Sequence, residues 1–428
     1  MSVIESMRIT DPLPQRYLTQ TPGVGGFIKR RPEDFLVDEI PLYEPQGSGE
    51  HLYLGIQKTN VSHGEMMSCL RRQFGVREFA IGYAGMKDKA GITRQTVSIH
   101  LPKDPPSIEI DHKRIQVLWS TRHLNKIRMG HLAGNRFSIR IREVDPMKAP
   151  AAMKTLRQLE RDGVPNYFGS QRFGYRGNNH RVGAALLAED WTSLTRELLG
   201  TVGGVFPEYQ RERREAFDAG RLSDAAKLWT TADRAERIVC ERLASGREPR
   251  EAVVAVGGTA LSFWISALQS AIFNRVLDQR LECQSLATLA EGDLAWKHDN
   301  RAVFSVTSTE IAEGLLAARL AAMEISPSGP MWGKGMLQAQ GATAQVERDA
   351  LEAAGLQLSQ IMESHHGPEG ARRPLRFPVL NTQLESGIDE HGPFIRVAFD
   401  LPRGSYATIV LREIMKSQGY ETDDHAAG

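Results

Sequence analysis

Hydrophobic and polar positions alternate with a period of two from Phe137 to Arg142: Phe137, Ile139 and Ile141 share one parity, and Ser138, Arg140 and Arg142 the other. Successive side chains of a strand point to opposite faces, so this spacing predicts a half-buried strand with an apolar face inward and its arginines outward. The same period recurs at Ile395, Val397, Phe399 and Leu401, and FLVDEI, HLYLGIQ and QTVSIHLP have strand composition. Helical spacing takes over elsewhere. Met67, Leu70 and Phe74 follow Ser62-x-x-Glu65, the pattern of a capping box. Met153, Leu156 and Leu159 predict a second helix that stops at Asp162-Gly163, and Gly404 turns the strand ending near Leu401 into a helix from about Ala407. Residues 191–244 are rich in Ala, Glu and Arg and predict helix, and Ile265, Leu268, Ile272 and Val276 form the stripe of another. Strand-rich ends around a mixed middle predict an α+β fold carrying an insertion.

A chain of 428 residues with 41% hydrophobic and 25% charged residues is an ordinary globular protein, long enough for two domains. Its net charge of +1 hides an asymmetry. Residues 191–370 hold 18 Lys+Arg against 24 Asp+Glu, a balance of −6, which leaves 35 against 28, or +7, for the ends. Much of the excess lies between His112 and Arg142, where there are eight Lys or Arg and no Asp or Glu. Cys69, Cys240 and Cys283 are odd in number and far apart, so neither a disulfide framework nor a zinc site is expected. Reduced thiols, an N-terminus without an apolar stretch and a greasy segment at 261–281 broken by polar residues predict a cytoplasmic protein with no membrane insertion. Gly333-Lys334-Gly335 lacks the other P-loop positions, Gly23 to Gly26 lacks dinucleotide-binding spacing, and His365-His366 has no sequence neighbours suited to complete a metal site. No nucleotide cofactor and no metal are expected.

One segment carries chemistry. Ala84-Gly85-Met86-Lys87-Asp88-Lys89-Ala90-Gly91 places a single acid between two lysines, in a stretch too polar for a core and with glycines that allow a large ligand close approach. Nearby cations favour the ionised form of a carboxylate, as a nucleophile or base requires. Taken alone, Asp88 also fits a surface turn. The string AGMKDKAGITRQ resembles the active-site motif of the TruD family of pseudouridine synthases. Three further blocks resemble the same family in the same order: IKRRPEDFLVDE (28–39), GVPNYFGSQRFGYRGNN (163–179) and FDLPRGSYATIVLRE (399–413), with weaker similarity at 124–143 and 263–281.

The resemblance implies a discontinuous catalytic domain of residues 1–190 and 371–428, built on a mixed, largely antiparallel sheet with flanking helices, around an inserted α/β TRUD domain of residues 191–370. It implies isomerisation of uridine to pseudouridine in tRNA, at uridine 13, by a monomer without cofactor. By residue match, Asp88 is the catalytic aspartate, nucleophile or base, and Lys29 the cation beside it; Phe35, Asn166 and Tyr406 bind the uracil, while Tyr167, Phe168, Gln171, Arg172 and Phe173 build the pocket wall. Lys29 could instead be an exposed member of Lys29-Arg30-Arg31, and Phe35 an ordinary core residue. Beside such a motif the basic stretch fits phosphate contacts, with Arg122, Lys126, Arg128 and Arg136 as the RNA-binding candidates. Two other functions fit the same residues: a catalytically silent RNA-binding relative, and a uridine-directed glycosidic hydrolase.

Overall fold

A computed structural model describes residues 2–283 and 286–417. Packing divides the chain into two compact units, one of Thr19–Val164 with residues 377–417, the other of residues 2–18 with Pro165–Arg376.

The first unit is built on an eight-stranded sheet. Its strands are β1 (Phe35–Pro41), β2 (His51–Thr59), β3 (Ile81–Tyr83), β4 (Ile92–His100), β5 (Ile115–His123), β6 (Leu132–Arg142), β7 (Leu380–Asp389) and β8 (Gly392–Pro402). They run in the order β7-β8-β6-β1-β4-β2-β5, with β3 also paired to β4. All pairings are antiparallel except β1 with β4, which is parallel, so the sheet is mixed and largely antiparallel, as the resemblance implies. The parallel pair has a consequence for function. It sets Leu36 opposite Ile92, while antiparallel β2 sets Thr59 opposite Ile92. The start of β1, the start of β4 and the end of β2 therefore meet at one end of the sheet.

Helix α1 (His63–Phe74) covers a core of Leu54, Ile56, Met66, Leu70, Val97 and Ile99. Only half of the expected capping box forms. Ser62 Oγ accepts from Glu65 N–H at 3.1 Å, but the Glu65 carboxylate is drawn to Arg114 at 3.3 Å and His112 at 3.2 Å. Helix α2 (Ala149–Asp162) buries Leu156 and Leu159 and ends at Gly163, whose φ of 82° lies in the region glycine favours. Helix α3 (Ala407–Met415) follows β8. On β6 the alternation holds at Phe137, Ile139 and Ile141 but fails at Arg142, which is buried instead of outward. Two acids account for this: Arg142 Nε donates to Asp34 Oδ1 at 2.8 Å and Nη1 to Asp389 Oδ1 at 2.6 Å.

The second unit is organised around the helix Gly258–Cys283, which buries Trp264, Leu268, Ile272 and Val276. Helix Asn179–Leu187 lies directly on it: a Cβ at Gly183 would stand 2.2 Å from the Trp264 carbonyl oxygen, so only glycine allows this approach. Four antiparallel strands, in the spatial order Ala371–Pro374, Ile325–Met331, Leu294–Lys297 and Val303–Ser305, form a second sheet. The packing joints fall at 164/165 and 376/377, whereas the expected domain joints stand at 190/191 and 370/371. Contacts explain the shift. Residues 179–187 pack on the long helix, and the N-terminal segment 8–16 joins the same unit through Arg8 N–H and Ile9 N–H to the Ala353 carbonyl and through Gln15 N–H and Arg16 N–H to Asp278 Oδ1. Among the described residues no helix is long and apolar enough to cross a membrane.

Candidate active site

The loop between β3 and β4 carries Asp88, and contacts at Gly91, Lys87 and the Asp88 backbone hold it. Gly91 N–H donates to Asn60 Oδ1 at 2.9 Å, and Asn60 N–H returns a bond to the Gly91 carbonyl at 3.0 Å. Gly91 has φ +118°, and a Cβ there would lie 2.4 Å from the Phe35 carbonyl oxygen, so glycine is required twice over. Lys87 does not flank the Asp88 carboxylate as its place in sequence would have it. Its ammonium is buried 2.6 Å from Glu39 Oε2, and the other Glu39 oxygen accepts from Thr96 N–H. Lys58, a residue the sequence reading passed over, donates from Nζ to the carbonyls of Val61 at 2.8 Å, Lys87 at 3.4 Å and Asp88 at 2.5 Å.

The cation beside the acid is Lys29. Its Nζ lies 3.4 Å from Asp88 Oδ2, and its side chain is 8% exposed against 53% for Asp88. Lys29 has φ +57°, a left-handed conformation that costs a residue with a Cβ of order 1–3 kcal/mol and is kept where the surroundings enforce it. Its ammonium also sits 4.4 Å from the centre of the Phe35 ring, a cation–π contact. The pair thus joins a positioned, largely dry cation to a carboxylate whose other side is open to a ligand.

Phe35 is only 2% exposed, with the edge of Phe137 6.4 Å away between ring centres. Its ring supports Lys29 and closes the core, and it offers no open face. Tyr406, the residue preceding α3, is 41% exposed, and among the described residues its hydroxyl has no hydrogen-bond partner. Two bonds link the turn before it to the Asp88 loop: Arg403 Nη1 donates to the Gly130 carbonyl, and Gly130 N–H donates to the Ala84 carbonyl. Asn166 belongs to the other compact unit, where both ends of its amide are engaged, Nδ2 donating to the Pro374 carbonyl at 2.8 Å and Oδ1 accepting from Arg373. Asn135 behaves differently. It stands opposite Glu39 in the β1–β6 register, and its Oδ1 is buried with no partner among the described residues. The signal was available in the alternation, since Asn135 shares the inward parity of Phe137, Ile139 and Ile141.

The four RNA-binding candidates separate into two kinds. Arg122 donates to Asp104 and to the Leu101 carbonyl, Lys126 to the Phe79 carbonyl, and Arg136 to Asp400 at 2.8 Å and Gln383 at 3.0 Å. Arg128 is exposed, and among the described residues its guanidinium has no ion-pair partner.

The mixed sheet, with its acid loop entering the strand parallel to β1, has the fold of a pseudouridine synthase. Comparison with known proteins narrows this. The family model described as tRNA pseudouridine synthase D (TruD) matches residues 14–414. A tRNA pseudouridine synthase D of Geobacter sulfurreducens is 46% identical over 409 residues, spanning 94% of this chain and 97% of the relative, and one of Geotalea daltonii is 43% identical over 94% of this chain and 99% of its own. A crystal structure from Methanosarcina mazei assigned to TruD superposes with a TM-score of 0.85 at 27% identity, covering 96% of this chain and 98% of that one. The chain belongs to the TruD family of tRNA pseudouridine synthases.

Proposed function

We propose that this protein isomerises uridine 13 of tRNA to pseudouridine, as a cytoplasmic monomer without cofactor, with Asp88 as the acid that attacks or deprotonates the nucleoside. The observation that carries the reading is the Lys29–Asp88 pair: a buried ammonium 3.4 Å from a carboxylate whose other side is open. The reaction breaks the C1′–N1 bond and forms C1′–C5; C5 gives up a proton and N1 gains one, so nothing is oxidised and no group donor is consumed. A carboxylate suffices, either by adding to the sugar or base or by removing a sugar proton. The base must leave its stack to reach the acid. Tyr406 supplies the exposed aromatic face for the extruded uracil, and Phe35, buried beneath the pair, serves the site by holding Lys29. Asn135, whose carbonyl oxygen is unspent, is the better partner for the uracil edge than Asn166, whose amide is engaged within its own unit.

The test is incubation of unmodified tRNA with the wild type and with Asp88→Asn, followed by nucleoside analysis and mapping of the modified position. The wild type is expected to yield pseudouridine at position 13, and Asp88→Asn to retain tRNA binding with turnover reduced by about 10³-fold or more. Free uracil as the product would instead favour a hydrolase, and binding without product a silent relative.

A further inference from the structure

Lys58 ends the inward row of β2. Leu54, Ile56 and Lys58 share one face, and Lys58 is 1% exposed, with Thr93 opposite it on β4. A lysine at the dry end of an apolar row is costly, because burial disfavours its charge. Its three bonds all go to main-chain carbonyls, two of them consecutive, Lys87 and Asp88. No carboxylate forms an ion pair with Lys58 among the described residues. The ammonium therefore holds the peptide on either side of the Asp88 Cα, and hence the direction in which the carboxylate projects toward Lys29. We propose that Lys58 is a positioning residue for the isomerisation, one that acts through the Asp88 backbone and never touches the substrate. This rests on the reading of Asp88 as the catalytic carboxylate.

Burial pushes the Lys58 ammonium down to about 8, opposed by the attraction of Asp88 and assisted by the repulsion of Lys87. The other charged or titratable groups facing this corner are His63 at the start of α1, whose own pKa is lowered by burial and then by Lys58, and the two ion pairs Lys29–Asp88 and Lys87–Glu39. Deprotonation of Lys58 then has opposite signs for two properties. The unfolded lysine keeps its proton to about 10.5, so between about 8 and 10.5 the unfolded state binds more protons and this group makes stability rise with pH. Over the same interval the grip on the Asp88 carbonyl weakens and turnover falls. A residue that serves only stability would give no such divergence.

The experiment measures single-turnover rates on tRNA, tRNA affinity and thermal stability across pH 6 to about 10 for the wild type, Lys58→Met, Lys58→Arg and Asp88→Asn, with Asp88→Asn as the control for the underlying reading. Expected are a wild-type rate that declines above pH about 8, a loss of roughly 100-fold in Lys58→Met with affinity for tRNA unchanged, and partial recovery in Lys58→Arg without the alkaline decline, since a guanidinium keeps its proton. Should Lys58→Met not fold, the wild-type and Lys58→Arg profiles decide: the same alkaline decline in both overturns the inference. Wild-type turnover in a folded Lys58→Met, beside an inactive Asp88→Asn, overturns it alone. Full turnover in Asp88→Asn overturns the reading beneath it as well.

Discussion

Two buried cations, one in each compact unit, do the same geometric task with different chemistry. In the second unit Arg214 is fully buried and gathers the carbonyls of Leu198 at 2.9 Å and Gly200 at 3.1 Å, together with Gln210 and the Tyr175 hydroxyl. In the first, Lys58 gathers those of Val61, Lys87 and Asp88. Arginine stays charged through the accessible pH range and offers five donors in a fixed fork, which suits a permanent staple. Lysine shifts readily when buried and offers a single nitrogen, which gives a grip that can be released. Burial lowers the pKa of both, but from a far higher starting point for Arg214, so the more readily titrated cation stands under the Asp88 loop and the other in the second unit. Both cations have their partners within the chain; buried polar groups with no partner among the described residues, such as Asn135 Oδ1, form a second kind that is open to a ligand.

The largest expected effect tests the staple. Arg214→Met should leave the Leu198 and Gly200 carbonyls with only their longer bonds from Arg176 at 3.4 and 3.3 Å, remove the donor shared with Gln210 and Tyr175, and cost about 3 kcal/mol in urea denaturation, because one side of a buried charged network is lost. Turnover per folded molecule should be unaffected at permissive temperature. A loss of stability no greater than that of Lys58→Met would erase the distinction between the two cations.

Much of this arrangement can be read from the sequence, and the omissions have physical causes. Alternation located β6 and β8 and composition located β1, β2 and β4, while β5 and β7 were not anticipated; the loop motif and the PEDF block singled out Asp88, Lys29 and Phe35. What local pattern could not show is that Lys29 and Asp88 meet across 59 positions, because that depends on the parallel pairing of β1 with β4. Local charge was misleading at Lys87, whose neighbour in space is Glu39. Lys58 and Asn135 were detectable as polar residues on the apolar parity of a strand, a more informative anomaly than an acid in a polar loop. Nor could local pattern show that residues 179–187 pack on the long helix, since that contact depends on Gly183 lying against the Trp264 carbonyl.

A second pair of residues sharpens the contrast at smaller cost. Asn166 has both ends of its amide occupied, so Asn166→Ala should lower stability by about 1 kcal/mol and leave kcat/KM per folded enzyme nearly intact. Asn135 has an unspent carbonyl oxygen, so Asn135→Ala should leave stability within about 0.5 kcal/mol while lowering kcat/KM roughly tenfold, the value of one hydrogen bond to a ligand in a dry site. Reversal of these two outcomes would return the uracil edge to Asn166.

The smallest effect lies on the surface. Log affinity for nucleic acid falls with log salt in proportion to the phosphates neutralised, about 0.7 to 0.9 of a unit of slope for each. Arg128 is exposed and without an ion-pair partner among the described residues, so it is available for a phosphate at no internal cost. Arg122 is already paired with Asp104, and Arg136 with Asp400 at 2.8 Å, so each must give up a contact before it contributes. Arg128→Gln should therefore flatten the salt dependence of tRNA binding by about one unit of slope, whereas Arg122→Gln and Arg136→Gln should each change it by less than half of that. Equal slopes for all three variants would mean that the internal pairs yield freely to phosphate. The basic stretch would then act as a single electrostatic face, and the division between engaged and reserved groups would hold only in the interior, where exchanging one partner for another requires desolvation.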